Sequence, residues 1–272
     1  MKKWSFYLFI CLALSSCEEK IAWNLHPTQE NAVVVDALLT DEVKIQKIKL
    51  SRPIDNPDLQ PQAVSNASVL VSTDQAVYPF HEDSLTPGTY LSDIAFSGVS
   101  DKTYSLLVSV AGHAYSAKAV LPSRRDFAFL SYQRDVDDGM YRITKVASVF
   151  DPSNPAMYEI SLDWSAVPGY ETVSPDSCKA KLFFYTLTTL DVSEVFAPKA
   201  EKVSFPQGTK ISERRYSLTN EHAAFLRGVL LETNWQGGFF NTVPANLPTN
   251  LSSGAIGYFG ACGIVEKIET VK

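Results

Sequence analysis

"AVVVDALLTDEVKIQKIKLS" (Ala32 to Ser51) decides the fold class. Its first half, through Thr40, reads as a hydrophobic strand. Its second half, from Val43, alternates apolar and polar residues at period two, as a half-buried strand should. Further strands follow in "ASVLVST" (67–73), "TYSLLVSVAG" (103–112) and "HAYSAKAVLP" (113–122). Turn-rich stretches separate them: "RPIDNPDLQPQ" (52–62), "LTPGTY" (85–90) and "FSGVSDKT" (96–103). Short strands spaced by such turns predict a β-sandwich over residues 31–121 rather than alternating strands and helices.

The polar stretch Pro122-Ser123-Arg124-Arg125 marks the expected boundary to a second β-rich domain, 122–272. Two strands joined around Asp138-Gly139 form a hairpin there. "AMYEISLDW" (156–164), "KAKLFFYTLTTL" (179–190), "RRYSLT" (214–219) and the tail "GAIGYFGACGIVEKIETV" (254–271) add more strands. One segment breaks the pattern. In "TNEHAAFLRGVLLETNW" (219–235), Thr219 or Asn220 offers an N-cap, and Ala224, Phe225, Leu226, Val229 and Leu230 suit one face of a helix near 220–233. Gly228 weakens the expectation for its second half. The chain is therefore expected to be mainly β, with one short helix.

The first thirty residues carry an address. Lys2 and Lys3 precede a short apolar core, "WSFYLFICLALSS" (4–16), too short for an ordinary transmembrane helix. Leu14-Ser15-Ser16-Cys17 resembles a bacterial lipobox: small residues precede a cysteine whose thiol takes a thioether-linked lipid. Residues 1–16 then read as a signal peptide, Cys17 as the lipidated first residue, and 17–30 as a tether. Several acyl chains hold a protein to a bilayer where one would not. Glu18-Glu19 resembles an acidic signal for export to the outer face of the outer membrane.

The formal net charge is −6. Removing Lys2 and Lys3 with the signal leaves 22 basic against 30 acidic side chains, net −8. That balance argues against a nucleic-acid partner and against peripheral binding to anionic lipid. Beyond Cys11 and Cys17, only Cys178 and Cys262 remain. In an oxidising compartment they either bridge or stay as buried free thiols, and no local spacing decides between these.

The chain shows no catalytic constellation. His26, His81, His113 and His222 are not grouped at metal-ligand spacing, and no Gly-x-Ser-x-Gly elbow is present. Asp135-x-Asp137-Asp138-Gly139 has the outline of a calcium loop, but Gly139 stands where the third ligand belongs and the downstream Glu is missing. It reads better as a hairpin turn. Asp83-Ser84-Leu85, in an accessible loop, fits a short motif for O-glycosylation at Ser84. The aromatic loop around Trp235, Phe239 and Phe240 is either a binding platform or a filler between helix and sheet. No cofactor, no metal and no enzymatic activity are expected.

Five blocks in order, "VVVDALLTDEVKIQKIKLS", "NASVLVSTDQ", "PGTYLSD", "DKTYSLLVSVAGHAYSA" and "LETNWQGGFFNTVPANLPTNLSSGAIGYFGACGI", resemble a lipoprotein family of Bacteroidota, domain-of-unknown-function family 4249 (DUF4249). Ser253-Gly254 stands where the family usually has Gly-Asn. Gly88, Tyr90, Tyr104 and Leu106 are also similar to transthyretin-like and Ig-like modules, in which the tyrosines pack across the sandwich. The family resemblance implies a surface-exposed outer-membrane lipoprotein. Its role would be that of an accessory or ligand-capturing subunit of a TonB-dependent (SusC-like) β-barrel transporter. A surface hydrolase of glycan or peptide, and a structural or adhesive surface protein, are the alternatives.

Overall fold

The computed structural model describes residues 32–54, 59–189, 203–233 and 247–272, all within one compact unit spanning 31–272. The signal segment, Cys17, Glu18, Glu19 and the tether lie outside the described residues, as do Trp235, Phe239 and Phe240. The chain is mainly β, with several sheets and one short helix.

The larger sheet holds eight strands. They are β1 (Val33–Thr40), β2 (Lys47–Ser51), β3 (Ser68–Ser72), β4 (Val77–Glu82), β5 (Thr89–Ser92), β6 (Thr103–Val110), β7 (His113–Val120) and β13 (Ala255–Cys262). Their order is β13-β1-β2-β5-β4-β3-β6-β7. All pair antiparallel except β1 and β13, which run parallel from Val33 beside Ala255 to Thr40 beside Cys262. The sheet curls until β7 and β13, at opposite ends of that order, come together. Leu251 bridges to Ala117, Ser252 N–H donates to the Ser116 carbonyl at 2.8 Å, and the Asn250 amide spans the Lys118 and Phe259 carbonyls.

Inside the curl lie Val33, Val35, Leu39, Ile48, Leu50, Val69, Val71, Leu106, Val108 and Phe259. Tyr90 and Tyr104 are buried among them, and each hydroxyl finds a backbone partner. Tyr90 donates to the Val64 carbonyl at 2.8 Å, and Tyr104 accepts Val99 N–H at 2.8 Å. Buried phenols need such partners.

Two details depart from the sequence pattern. The apolar residues of the alternating stretch fall out of phase, so Ile48 and Leu50 are buried while Val43 is 79% exposed. The inward position ahead of Ile48 belongs to Gln46. Its amide donates to the Thr40, Glu42 and Phe96 carbonyls and accepts Thr40 N–H, closing the acidic turn. Second, β4 and β5 have no counterpart among the expected strands, and β5 begins at Thr89 inside the stretch expected as a turn. Pro79 and His81 interrupt the pattern of β4, yet Phe80 is buried in the core and Tyr78 packs against it.

The smaller sheet has the order β11-β10-β12-β14, built from β10 (Ala156–Asp163), β11 (Lys179–Thr186), β12 (Lys210–Ser217) and β14 (Ile264–Thr270). A two-stranded hairpin, β8 (Ser131–Arg134) and β9 (Tyr141–Lys145), lies on one face. Helix α1 (Asn220–Thr233) lies on the other. Thr219 caps α1, its hydroxyl accepting His222 N–H at 3.2 Å. Ala223, Leu226 and Leu230 pack against Tyr216, Cys262 and Ile264. The helix continues through Gly228, where Leu247 crosses so closely that a Cβ would stand 2.8 Å from its methyl.

The stretch expected as a domain boundary joins β7 to β8. Arg124 within it pairs with Asp41, after β1, and β13 continues through Gly263 directly into β14.

Candidate functional site

The registers of β10, β11 and β12 set Tyr158 beside Arg215 and Phe184, and Ala156 beside Ser217 and Thr186. Further along the same face come Ile160 beside Glu213, then Leu162 beside Ile211. The hairpin covers this apolar end with Tyr132, Tyr141 and Ile143. At the polar end a cavity of about 620 Å³ remains. Tyr158, Thr186 and Arg215 form its floor; Arg125 to Ala128, Lys145 to Ser148, Asp151 and Asn154 form its walls. A smaller depression of about 220 Å³ adjoins it across Arg125 and Asn154.

Arg215 is 4% exposed. Its Nη1 donates to Ser217 Oγ at 2.7 Å and to the Arg125 carbonyl at 3.5 Å. Nε donates to the Tyr158 hydroxyl at 3.3 Å and Nη2 to the Asn154 carbonyl at 3.4 Å. Every one of these acceptors is neutral. Among the described residues no carboxylate reaches ion-pair distance of the guanidinium. A buried cation is ordinarily paired, because losing water is expensive for it.

Asp151 is the acid close enough to feel Arg215, but its oxygens are committed to a turn. Oδ1 accepts Ser153 N–H at 2.9 Å and Asn154 N–H at 3.1 Å, and Oδ2 accepts the Asn154 amide at 3.1 Å. The Asn154 bond chiefly, then Ser153 N–H, hold its carboxyl below the usual range, with Arg215 adding to the effect. Asn154 Oδ1 is buried and has no hydrogen-bond partner. Phe127 stands edge-on to Tyr158 at 5.7 Å and carries Lys267 over its ring at 4.8 Å. Lys267 also pairs with Asp126 at 2.8 Å, so that wall acid already has a counter-charge.

Other perturbed groups are sealed in the core. Glu213 is fully buried; Oε2 accepts Leu130 N–H at 2.8 Å while Oε1 has no partner, and burial raises its carboxyl to about 7. His222 Nδ1 lies 3.9 Å from Cys262 Sγ. Burial lowers the imidazole to about 4 and pushes the thiol well up, the reverse of a thiolate–imidazolium pair. Cys178 and Cys262 are both free and buried.

Ser84 is exposed in the β4–β5 loop, where Asp83 holds the turn by accepting Leu85 N–H at 3.0 Å and the Thr86 hydroxyl. In the acidic hairpin loop, Arg142 pairs with both Asp135 and Asp138. Among the described residues no three His, Cys, Asp or Glu side chains gather as a metal site, and no helix is long and apolar enough to cross a membrane.

Sequence reasoning did not single out Arg215, Asn154 or Tyr158. The one available signal was the adjacent pair Arg214-Arg215 within a strand, where period two must turn one of them inward.

The family model described as Domain of unknown function (DUF4249) matches residues 18–268, nearly the whole chain. The chain belongs to that family. The DUF4249 match therefore takes in α1, every residue that lines the cavity and both sheets as far as Ile268 of β14. No curated protein matches the chain.

Proposed function

We propose that this DUF4249 chain is a surface-exposed outer-membrane lipoprotein that captures a ligand non-covalently, as the accessory subunit of a TonB-dependent transporter complex. Its role is binding, not catalysis. The observation that carries the reading is the cavity beside Arg215: a polar floor from three strands and a cation without a counter-charge in contact, walled by two loops. Such a site is built to hold a group by charge and hydrogen bonds. The titratable groups with large shifts, Glu213, Tyr216, His222, Tyr258 and Cys262, are buried in the packing instead.

The lipobox ending at Cys17 and the acidic pair Glu18-Glu19 support the location. Lipid anchoring confines the protein to the plane of a barrel partner, which raises the effective concentration of one for the other. Ligand held at the cavity is thereby kept beside its route of entry.

The test is affinity purification of the full-length lipoprotein from native outer membranes in mild detergent, followed by mass spectrometry. A stoichiometric β-barrel transporter is the expected companion. Free monomer, recovered even after cross-linking, would overturn the partnership.

A further inference from the structure

We infer that the cavity beside Arg215 receives a small, hydroxyl-bearing organic anion whose carboxylate seats against the Arg215 guanidinium. The inference rests on the ligand-capturing reading and names the chemical class captured.

Three of the four contacts of the guanidinium are 3.3 Å or longer, and all go to neutral oxygens. Its charge is therefore desolvated without a counter-charge in contact. Four of its five N–H groups have acceptors, which leaves one Nη2–H for a carboxylate oxygen, and such charge-assisted bonds are the strong ones. Asp151 does not fill the place, since its lone pairs are turned to Ser153 and Asn154. Arg125 and Lys145 on the walls add positive charge, set against Asp151 and against Asp126, which is already paired with Lys267.

The rest of the lining fits the remainder of such a molecule. Asn154 stands in the wall with its Oδ1 sealed from solvent and without a donor. Ser148 and Thr186 present further polar groups, and the Phe127 and Tyr158 rings offer an apolar side to a carbon skeleton. The volume of about 620 Å³ falls among sites for small organic molecules.

Isothermal titration calorimetry on the full-length lipoprotein in detergent tests this. The probes are a panel of hydroxy-carboxylates (glucuronate, galacturonate, gluconate and citrate), neutral glucose and glucose 6-sulfate. At least one carboxylate is expected to bind saturably, with no heat from glucose. Arg215→Gln should weaken that binding by at least about tenfold. Lys145→Gln, at an exposed wall position, should weaken it several-fold while melting like wild type. The Lys145 variant decides the matter should Arg215→Gln fail to fold.

Silence from the whole carboxylate panel, equal binding of glucose, or wild-type affinity in a folded Arg215→Gln protein would overturn the assignment. Preference for glucose 6-sulfate would overturn the carboxylate in favour of a sulfate ester. A barrel that co-purifies with a chain binding none of these anions removes this inference and leaves the partnership standing. Arg215-dependent binding without a barrel does the opposite.

Discussion

The Asp41 carboxylate accepts the backbone N–H of Ile264 at 2.9 Å, joining the turn after β1 to the first residue of β14. Its second oxygen takes the Nε–H of Arg124, from the segment between β7 and β8. One acidic side chain thus ties three distant stretches of chain together, and it is 5% exposed. Asp41→Ala leaves the Ile264 N–H unsatisfied in a buried place. We expect a loss on the order of 1.5–3 kcal/mol, the range for hydrogen bonds to charged groups. Urea denaturation should show a lower midpoint at unchanged slope; an unaltered midpoint would show that Asp41 holds nothing together.

Glu213 should make stability depend on pH. Its folded value of about 7 stands above the ordinary 4.5, so the folded chain holds the proton more tightly. This contribution is fully present below pH 4.5 and is lost as pH rises through about 7. Glu213→Gln keeps an acceptor for Leu130 and abolishes the buried charge. The variant should be more stable than wild type at pH 8, by roughly 1–3 kcal/mol, with the gain fading towards pH 4. Thermal melts at both pH values check this, and an equal effect at the two would refute it.

Gly257 has φ of +99° and lies beside Val35 in the parallel pair of β1 and β13. A Cβ there would stand 2.1 Å from the Val35 carbonyl oxygen. Gly257→Ala should break that pairing locally and destabilise the protein by more than about 3 kcal/mol. Hydrogen exchange in β13 should accelerate. A variant melting within about 2 °C of wild type would contradict the geometry.

Cys178 and Cys262 are free and buried, and the Cys262 thiol is held in its neutral form. Native full-length protein treated with iodoacetamide at pH 8 should carry no label at either position. In strong urea, without reductant, both should react. Mass spectrometry of the peptides gives the answer, and fast native labelling of Cys262 would revive a nucleophilic role for it.

Much of the strand set was legible because inward and outward residues alternate locally. "TYSLLVSV" and "AMYEISLD" became β6 and β10 almost residue for residue. Where pattern and packing disagree, the reason is physical. Gln46 is buried because its amide can satisfy the carbonyls of a turn, so a polar residue takes an inward place. β4 was illegible because Pro79 has no N–H to pair, although Phe80, Tyr78 and Phe96 pack there as aromatic neighbours.

The cavity shows the same division more sharply. Period two along β12 puts Arg214 and Arg215 on opposite faces, and this the sequence determines by itself. Which face would be covered, and by what, it does not contain. The fold turns Arg214 towards Glu42, at 2.5 Å, and buries Arg215 beneath the segment after β7 and the loop before β10. The two residues are chemically identical and adjacent. Only the packing of segments far away in the chain, which removes water from one side of the sheet and supplies a carboxylate on the other, made one a half-buried ion pair and the other the floor of a site.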